Sequence, residues 1–306
     1  MNRRRFIRDV LLWSAGATLA VPRFTLSAET QAKATPPPPP LLSVAKGEDY
    51  AALVTRVLKP LGGMGQFVRP GDRVVVKPNI GWDRTPEQGA NTNPLVVQAV
   101  VRQALAAGAK KVLVFDHTCN EARLCYTNSG IEKAVAEIND SRAVTEHIDQ
   151  RKFVPVDIVK GKALTRWELY KDALDCDCYI NLPIAKHHGL SGLTLGLKNV
   201  MGVMGGNRRS IHQDLAQSLA DLNTVIRPKL TIIDATRIMI SNGPKSGNLD
   251  DVRRLDTLIA STDIVAADAY ATTLFDLQPD AIASTVAAYN MGLGEMALDR
   301  ITVMEV

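Results

Sequence analysis

Four stretches of the chain end an apolar run on residues able to hold or move charge. "VVVKPN" closes on Lys77, Pro78 and Asn79, and "VLVFDH" on Asp116 and His117. "INLPIAKHH" closes on Lys186, His187 and His188, and "LTIID" on Asp234. Aspartate and imidazole together can move a proton near neutral pH, so His117, His187, Asp116 and Asp234 are the candidate acid–base groups. Lys77, Lys186 and Lys198 stand in segments with few other charges, and Asn79, Asn199, Arg208 and Arg209 add further donors. Such a set suits a small anionic ligand, because ammonium and guanidinium groups give charge-assisted hydrogen bonds. Imidazoles at His187, His188 and His212 also allow a transition metal, although no H-E-x-x-H or comparable local signature is present. One polar residue at a strand exit is ordinarily a cap or turn former. Four in one chain argue for a shared pocket.

For these residues to meet, their strands must run side by side, since open parallel sheets bind ligands beyond the carboxyl ends of the strands. The pattern supplies such strands. "DRVVVKPNI", "KKVLVFDHT" and "CYINLPIAK" read as buried strands, with "FVPVDIV", "KLTIIDAT", "LDTLIAS" and "RITVMEV" as further ones. Helices are expected at "DYAALVTRVLKPLGG", at "NPLVVQAVVRQALAAGAK" with Asn93 as N-cap and Gly108 as stop, and at "SGIEKAVAEIN" and "RWELYKDALD". Others follow near 213–226, at "DIVAADAYATTLF" capped by Asp263, and near 281–289. Strands alternating with helices give an α/β fold, with a mostly parallel sheet flanked by helices in three layers. The glycine-rich run after His188 matches neither a Walker motif nor a dinucleotide fingerprint. Its Leu193, Leu195, Leu197, Val200 and Val203 can form a core stripe, while its glycines let backbone come close to a ligand.

The chain has 306 residues with 46% hydrophobic composition, enough for a substantial core. Its net charge of +4 resides in residues 1–28, where five arginines face one aspartate, so the remainder is formally neutral. No concentrated basic face remains for nucleic acid. "RRRFIRD" followed by "VLLWSAGATLAV" reads as a signal peptide over 1–28, of twin-arginine type and too short to span a bilayer comfortably. The implied destination is the periplasm or cell surface, with a membrane tether if the signal is retained. "ETQAKATPPPPPLL" then serves as a proline-rich tether over 29–48, and one α/β domain fills 49–306. Cys119, Cys125, Cys176 and Cys178 fit no zinc ribbon or ferredoxin spacing, which leaves disulfides or buried thiols.

"VVVKPNIG", "NTNPLVVQAVVRQALAAGAKKVLVFD", "INLPIAKHHGLSGLTLGLKNVMG", "IIDATRIMISNGPKSG" and "IASTDIVAADAYATTLF" resemble, in order and spacing, the family known as domain of unknown function 362. The resemblance covers residues 72–294 and implies fold more than function. Some members add a ferredoxin-like C-x-x-C-x-x-C segment. This chain has no such motif, so no intrinsic ferredoxin-type cluster is expected. A more distant similarity, at the level of fold, is to nickel-pincer lactate racemases, which also place lysines and histidines around a cofactor. The sequence thus points to an exported α/β protein with a Lys/His/Asp pocket for an anionic ligand, cofactor or metal. Redox or isomerase chemistry would fit, with the twin-arginine export machinery and an envelope redox protein as partners. The alternative is a non-enzymatic metal- or cofactor-binding or maturation protein of the envelope. A third reading makes the polar groups mere strand caps of a scaffold.

Overall fold

The computed structural model describes residues 38–306. The strands are β1 (Leu41–Lys46), β2 (Arg73–Pro78), β3 (Lys111–Val114), β4 (Ala143–Thr145), β5 (Phe153–Asp157), β6 (Arg166–Tyr170), β7 (Cys178–Leu182), β8 (Ile184–His188), β9 (Gly192–Thr194), β10 (Leu230–Met239), β11 (Val252–Ser261) and β12 (Thr302–Glu305). All but β5 and β6 join one sheet, ordered β12-β1-β11-β10-β7-β2-β3-β4, with β8 branching from β10 and carrying β9. The stretch β10-β7-β2-β3-β4 is wholly parallel, whereas β11 runs antiparallel to both β10 and β1.

The helices are α1 (Tyr50–Leu58), α2 (Pro94–Ala106), α3 (Ala122–Asn128), α4 (Ile131–Ala136), α5 (Lys171–Leu174), α6 (Gly196–Asn199), α7 (Leu215–Leu222), α8 (Ile264–Thr272) and α9 (Ala283–Asn290). Side chains of a strand point alternately to its two faces, and here both faces are covered. On β2, Val74 and Val76 pack with Leu53 and Val57 of α1 and Val97 and Val100 of α2. Val75 lies in the opposite core with Leu197 of α6, Leu219 of α7 and Val265 of α8. The result is a three-layer α/β fold with a mixed, mostly parallel sheet. Each fully buried valine or leucine contributes roughly 1.5–3 kcal/mol by leaving water, so the two faces fix the register firmly. A one-residue slip would turn every buried side chain over.

Caps place the helices as the sequence leads one to expect. The Asn93 side chain accepts from Leu95 N at the start of α2, and that of Asp263 accepts from Val265 N and Ala266 N at the start of α8.

Three expectations change. The tether does not run to residue 48, because Leu41–Lys46 forms β1 between β11 and β12. Its short apolar run follows Pro40 directly and is buried over Leu42–Ala45. "RWELYKDALD" is not one helix, since Arg166–Tyr170 pairs with β5 in a separate two-stranded antiparallel sheet before α5 begins. "CYINLPIAK" is two strands, broken at Pro183. The expected signal peptide at 1–28 and the first part of the tether lie outside the described residues.

Candidate functional site

Beyond the carboxyl ends of β2 and β3 lies a cavity of about 760 Å³. One wall is a polar cluster held at the end of β2. The Lys77 ammonium is 1% exposed and lies 2.8 Å from Asp116 Oδ1 and 2.8 Å from Asn199 Oδ1. Asn199 donates through Nδ2 to Lys77 O at 3.0 Å and to Asn181 Oδ1 at 2.9 Å. Asp116 Oδ2 accepts the Ile80 N–H at 2.7 Å. Burial draws the Lys77 ammonium below its ordinary pKa, and the Asp116 charge only partly offsets that. Gly202 closes over the pair. A Cβ there would stand 1.9 Å from Asp116 Oδ1 and 2.4 Å from Lys77 Nζ, so only glycine permits this approach.

Asn199 and Lys198 are delivered by α6, a single turn whose start is fixed from another layer. Buried Asp268 of α8 accepts from Gly196 N at 2.6 Å and Leu197 N at 2.9 Å. Burial raises the Asp268 carboxyl to about 7 against these bonds. Lys198 Nζ has Met201 Sδ at 3.2 Å as its partner and no ion pair among the described residues. Burial pulls its ammonium down to about 8.

Strand β8 supplies the facing wall. Lys186 is 1% exposed, and its Nζ contacts Asn79 Oδ1 at 3.3 Å and Ala90 O. Burial draws it down to about 7. His188 accepts at Nδ1 from Leu190 N and Ser191 N, at 3.2 and 3.3 Å, which puts its ring proton on Nε2. Burial and then the Lys198 and Lys186 charges depress it to about 3, so it is a neutral imidazole. His117 is held the other way round. Its Nδ1 donates to Met204 O at 2.7 Å, leaving the Nε2 lone pair unused by the protein. Burial and Arg208 lower its pKa and favour the neutral ring. Arg208 bridges the His117 and Thr118 carbonyls, both at 2.8 Å, and it has no ion pair among the described residues. Formally, the cavity lining holds six basic lysine and arginine side chains against the one carboxylate of Asp116.

A family model described as "Domain of unknown function (DUF362)" matches residues 74–273. The chain belongs to this family. The thylakoid-associated protein sll1697 of Synechocystis is 30% identical over 272 residues, covering 84% of this chain and 79% of that protein. Two solved structures are also similar. One is a Thermotoga maritima protein, with a TM-score of 0.42 at 10% identity over 76% of this chain and 60% of that one. The other is the lactate racemase apoprotein of Thermoanaerobacterium thermosaccharolyticum, with a TM-score of 0.40 at 12% identity over 72% of this chain and 54% of that one. The chain thus spans less than two thirds of the length of either structure.

In this DUF362 chain the cavity gathers every expected site residue except His187 and Asp234. His187 follows Lys186 on β8 and therefore points to the other face, where its Nδ1 accepts from Gly243 N at 3.0 Å. Asp234 does not end its strand, because β10 continues to Met239. It is fully buried, accepting from Asn93 N at 2.7 Å and from the Thr236 N–H and hydroxyl at 2.9 and 2.7 Å. Its role is to tie the α2 cap to the sheet. The metal set His187, His188 and His212 is not assembled, and no group of three metal-ligating side chains occurs among the described residues. His212 donates from Nδ1 to Arg209 O at 2.9 Å. All four cysteines are free thiols, with Cys125 and Cys178 buried, so of the two alternatives the structure shows thiols and no disulfide. Cys119 is exposed and lines the cavity, as do Trp82, Thr194 and Lys245. None of these carried a local signal beyond proximity to a named motif, and Lys245 arrives on the loop after β10.

Proposed function

We propose that the cavity binds a small anionic metabolite and that the chain acts on it by proton transfer, as an isomerase-type enzyme. One observation carries this reading: the lining sets six basic side chains against one carboxylate, with Lys186 and Lys198 lacking an ion-pair partner among the described residues. Burying uncompensated charge is costly, and a bound carboxylate or phosphate would remove that cost. His117 offers a neutral Nε2 as base, oriented by its bond to Met204. The Lys198 ammonium offers a proton donor whose lowered pKa brings it into the working range. A base and an acid facing one pocket suit proton abstraction and return, which contributes on the order of 10²–10⁴-fold to such reactions. Isomerase chemistry is favoured over redox chemistry because these groups suffice for it. Export through the twin-arginine route remains part of the proposal, supported by "RRRFIR" at residues 3–8.

The test is calorimetry with oxalate, citrate and phosphate at neutral pH, followed by incubation in deuterated water of bound carboxylic acids that carry a C–H bond beside the carboxylate, such as citrate. Binding that weakens at least tenfold in Lys198→Met, with deuterium uptake lost in His117→Ala, is the expected result. No anion binding at millimolar concentration would refute the reading. Tight binding without deuterium uptake would favour a protein that holds an anionic cofactor without turnover.

A further inference from the structure

We propose that Lys186 forms an imine with the carbonyl carbon of a 2-oxo acid bound in this cavity. The inference rests on the anion-binding reading above and goes beyond it by naming a covalent step and a substrate class.

Three geometric facts set Lys186 apart from the other amines. It is 1% exposed yet reaches the cavity, lying 5.9 Å from the centre of the Trp82 ring. Its hydrogen-bond partners are two neutral carbonyl oxygens, Asn79 Oδ1 and Ala90 O. No carboxylate pairs with it among the described residues, whereas Lys77 has Asp116. Two acceptors can take the two hydrogens of a neutral amine and leave its lone pair unengaged by protein. Burial lowers this ammonium to about 7, so about half is free base at neutral pH, against less than about 0.1% for an exposed lysine. Desolvation beside another cation, here Lys198, is a recognised way to activate a lysine nucleophile.

The neighbours complete the site. His188 lies two residues on, on the same strand face, and its Nδ1 contacts place the ring proton on Nε2, available to the carbonyl oxygen. Lys198 and Arg208 supply cations for the carboxylate of the acid. In the step itself, the ammonium releases a proton and the nitrogen adds to the carbonyl carbon, giving a carbinolamine. That hydroxyl takes the same proton and leaves as water. One C=O bond is lost, one C=N bond forms, and nothing is oxidised or reduced. The protonated imine draws electrons from the adjacent C–H bond, which is the bond a base such as His117 would break.

The experiment uses the full chain with pyruvate or 2-oxoglutarate and sodium cyanoborohydride at neutral pH, followed by mass spectrometry of intact protein and peptides. Calorimetry with oxalate, which resembles a 2-oxo acid but has no ketone, reports anion binding independently. The expected outcome is one reduced adduct located on Lys186, suppressed by oxalate and absent in Lys186→Arg. An adduct on Lys198, Lys77 or scattered surface lysines overturns the proposal, as does no adduct while oxalate binds; the anion-binding reading would survive either result. Failure of both oxalate binding and adduct formation overturns both. Peptide mapping of the unmutated chain decides the location even if Lys186→Arg folds poorly.

Discussion

Replacing Lys186 by methionine should stabilise the unliganded protein at pH 6 and flatten its dependence on alkaline pH. In the unfolded chain this amine titrates near the ordinary 10.5, but in the folded protein burial lowers it to about 7. The folded state therefore carries a penalty for a buried ammonium that is fully present below pH 7. Between about 7 and 10.5 the unfolded chain holds a proton that the folded one has released, so stability rises with pH across that window. At about 1.4 kcal/mol per pH unit, the gap corresponds to about 5 kcal/mol. Methionine also loses the hydrogen bonds to Asn79 and Ala90, worth about 1 kcal/mol each. The net gain at pH 6 is thus about 3 kcal/mol, shrinking to near zero by pH 9.5. Urea unfolding followed by circular dichroism at pH 6, 7.5 and 9.5 measures it. A Lys186→Met protein less stable than its parent at pH 6, or one with an unchanged slope above pH 7, would refute the reasoning. Such a result would mean that Lys186 is satisfied where it stands and has no free energy to recover from a ligand.

Citrate should raise the melting temperature more at pH 6.5 than at pH 9, because Lys186 and Lys198 lose charge as pH passes about 7 and about 8; thermal scans at matched ionic strength check this. Gly202→Ala should destabilise the chain by about 1–3 kcal/mol, as other overpacking changes do, and abolish anion binding, since a methyl group would fall on the Lys77–Asp116 pair; melting temperature and calorimetry read the two effects. Asp234→Asn should cost about 1–3 kcal/mol by setting an amide against the Asn93 N–H, while leaving oxalate affinity within about twofold as expected for a residue outside the cavity. Thiol titration of the denatured, unreduced protein should count four free cysteines.

The pocket was readable where chemistry and strand exits coincide. Lys77 and Asp116 each follow an apolar run, and parallel pairing of β2 with β3 brings those runs side by side, while Lys186 follows its run on β8, beside β10. What was not readable depended on register. Adjacent histidines at 187 and 188 look alike in sequence, yet strand alternation sends one into the cavity and the other to the Gly243 loop. Asp234 resembled the other exits because it ends an apolar run. Only the pairing of β10 with β8 and β11 shows that the strand continues past it. "RWELY" has the composition of either element, and its strand character comes from β5, a partner the local pattern does not specify. Asp268, which fixes α6, looks like an ordinary helical residue until its two bonds to Gly196 and Leu197 are seen.

The placement of β1 bears on how the chain reaches this fold. Its neighbours in the sheet are β11 and β12, both from the far end of the sequence; the Ser261 hydroxyl donates to Leu41 O across a separation of 220 residues. Loop-closure entropy makes such distant pairings late events. During synthesis, β1 must therefore wait until β11 has emerged. Until then its own edges stay open to other strands, which is a hazard for aggregation.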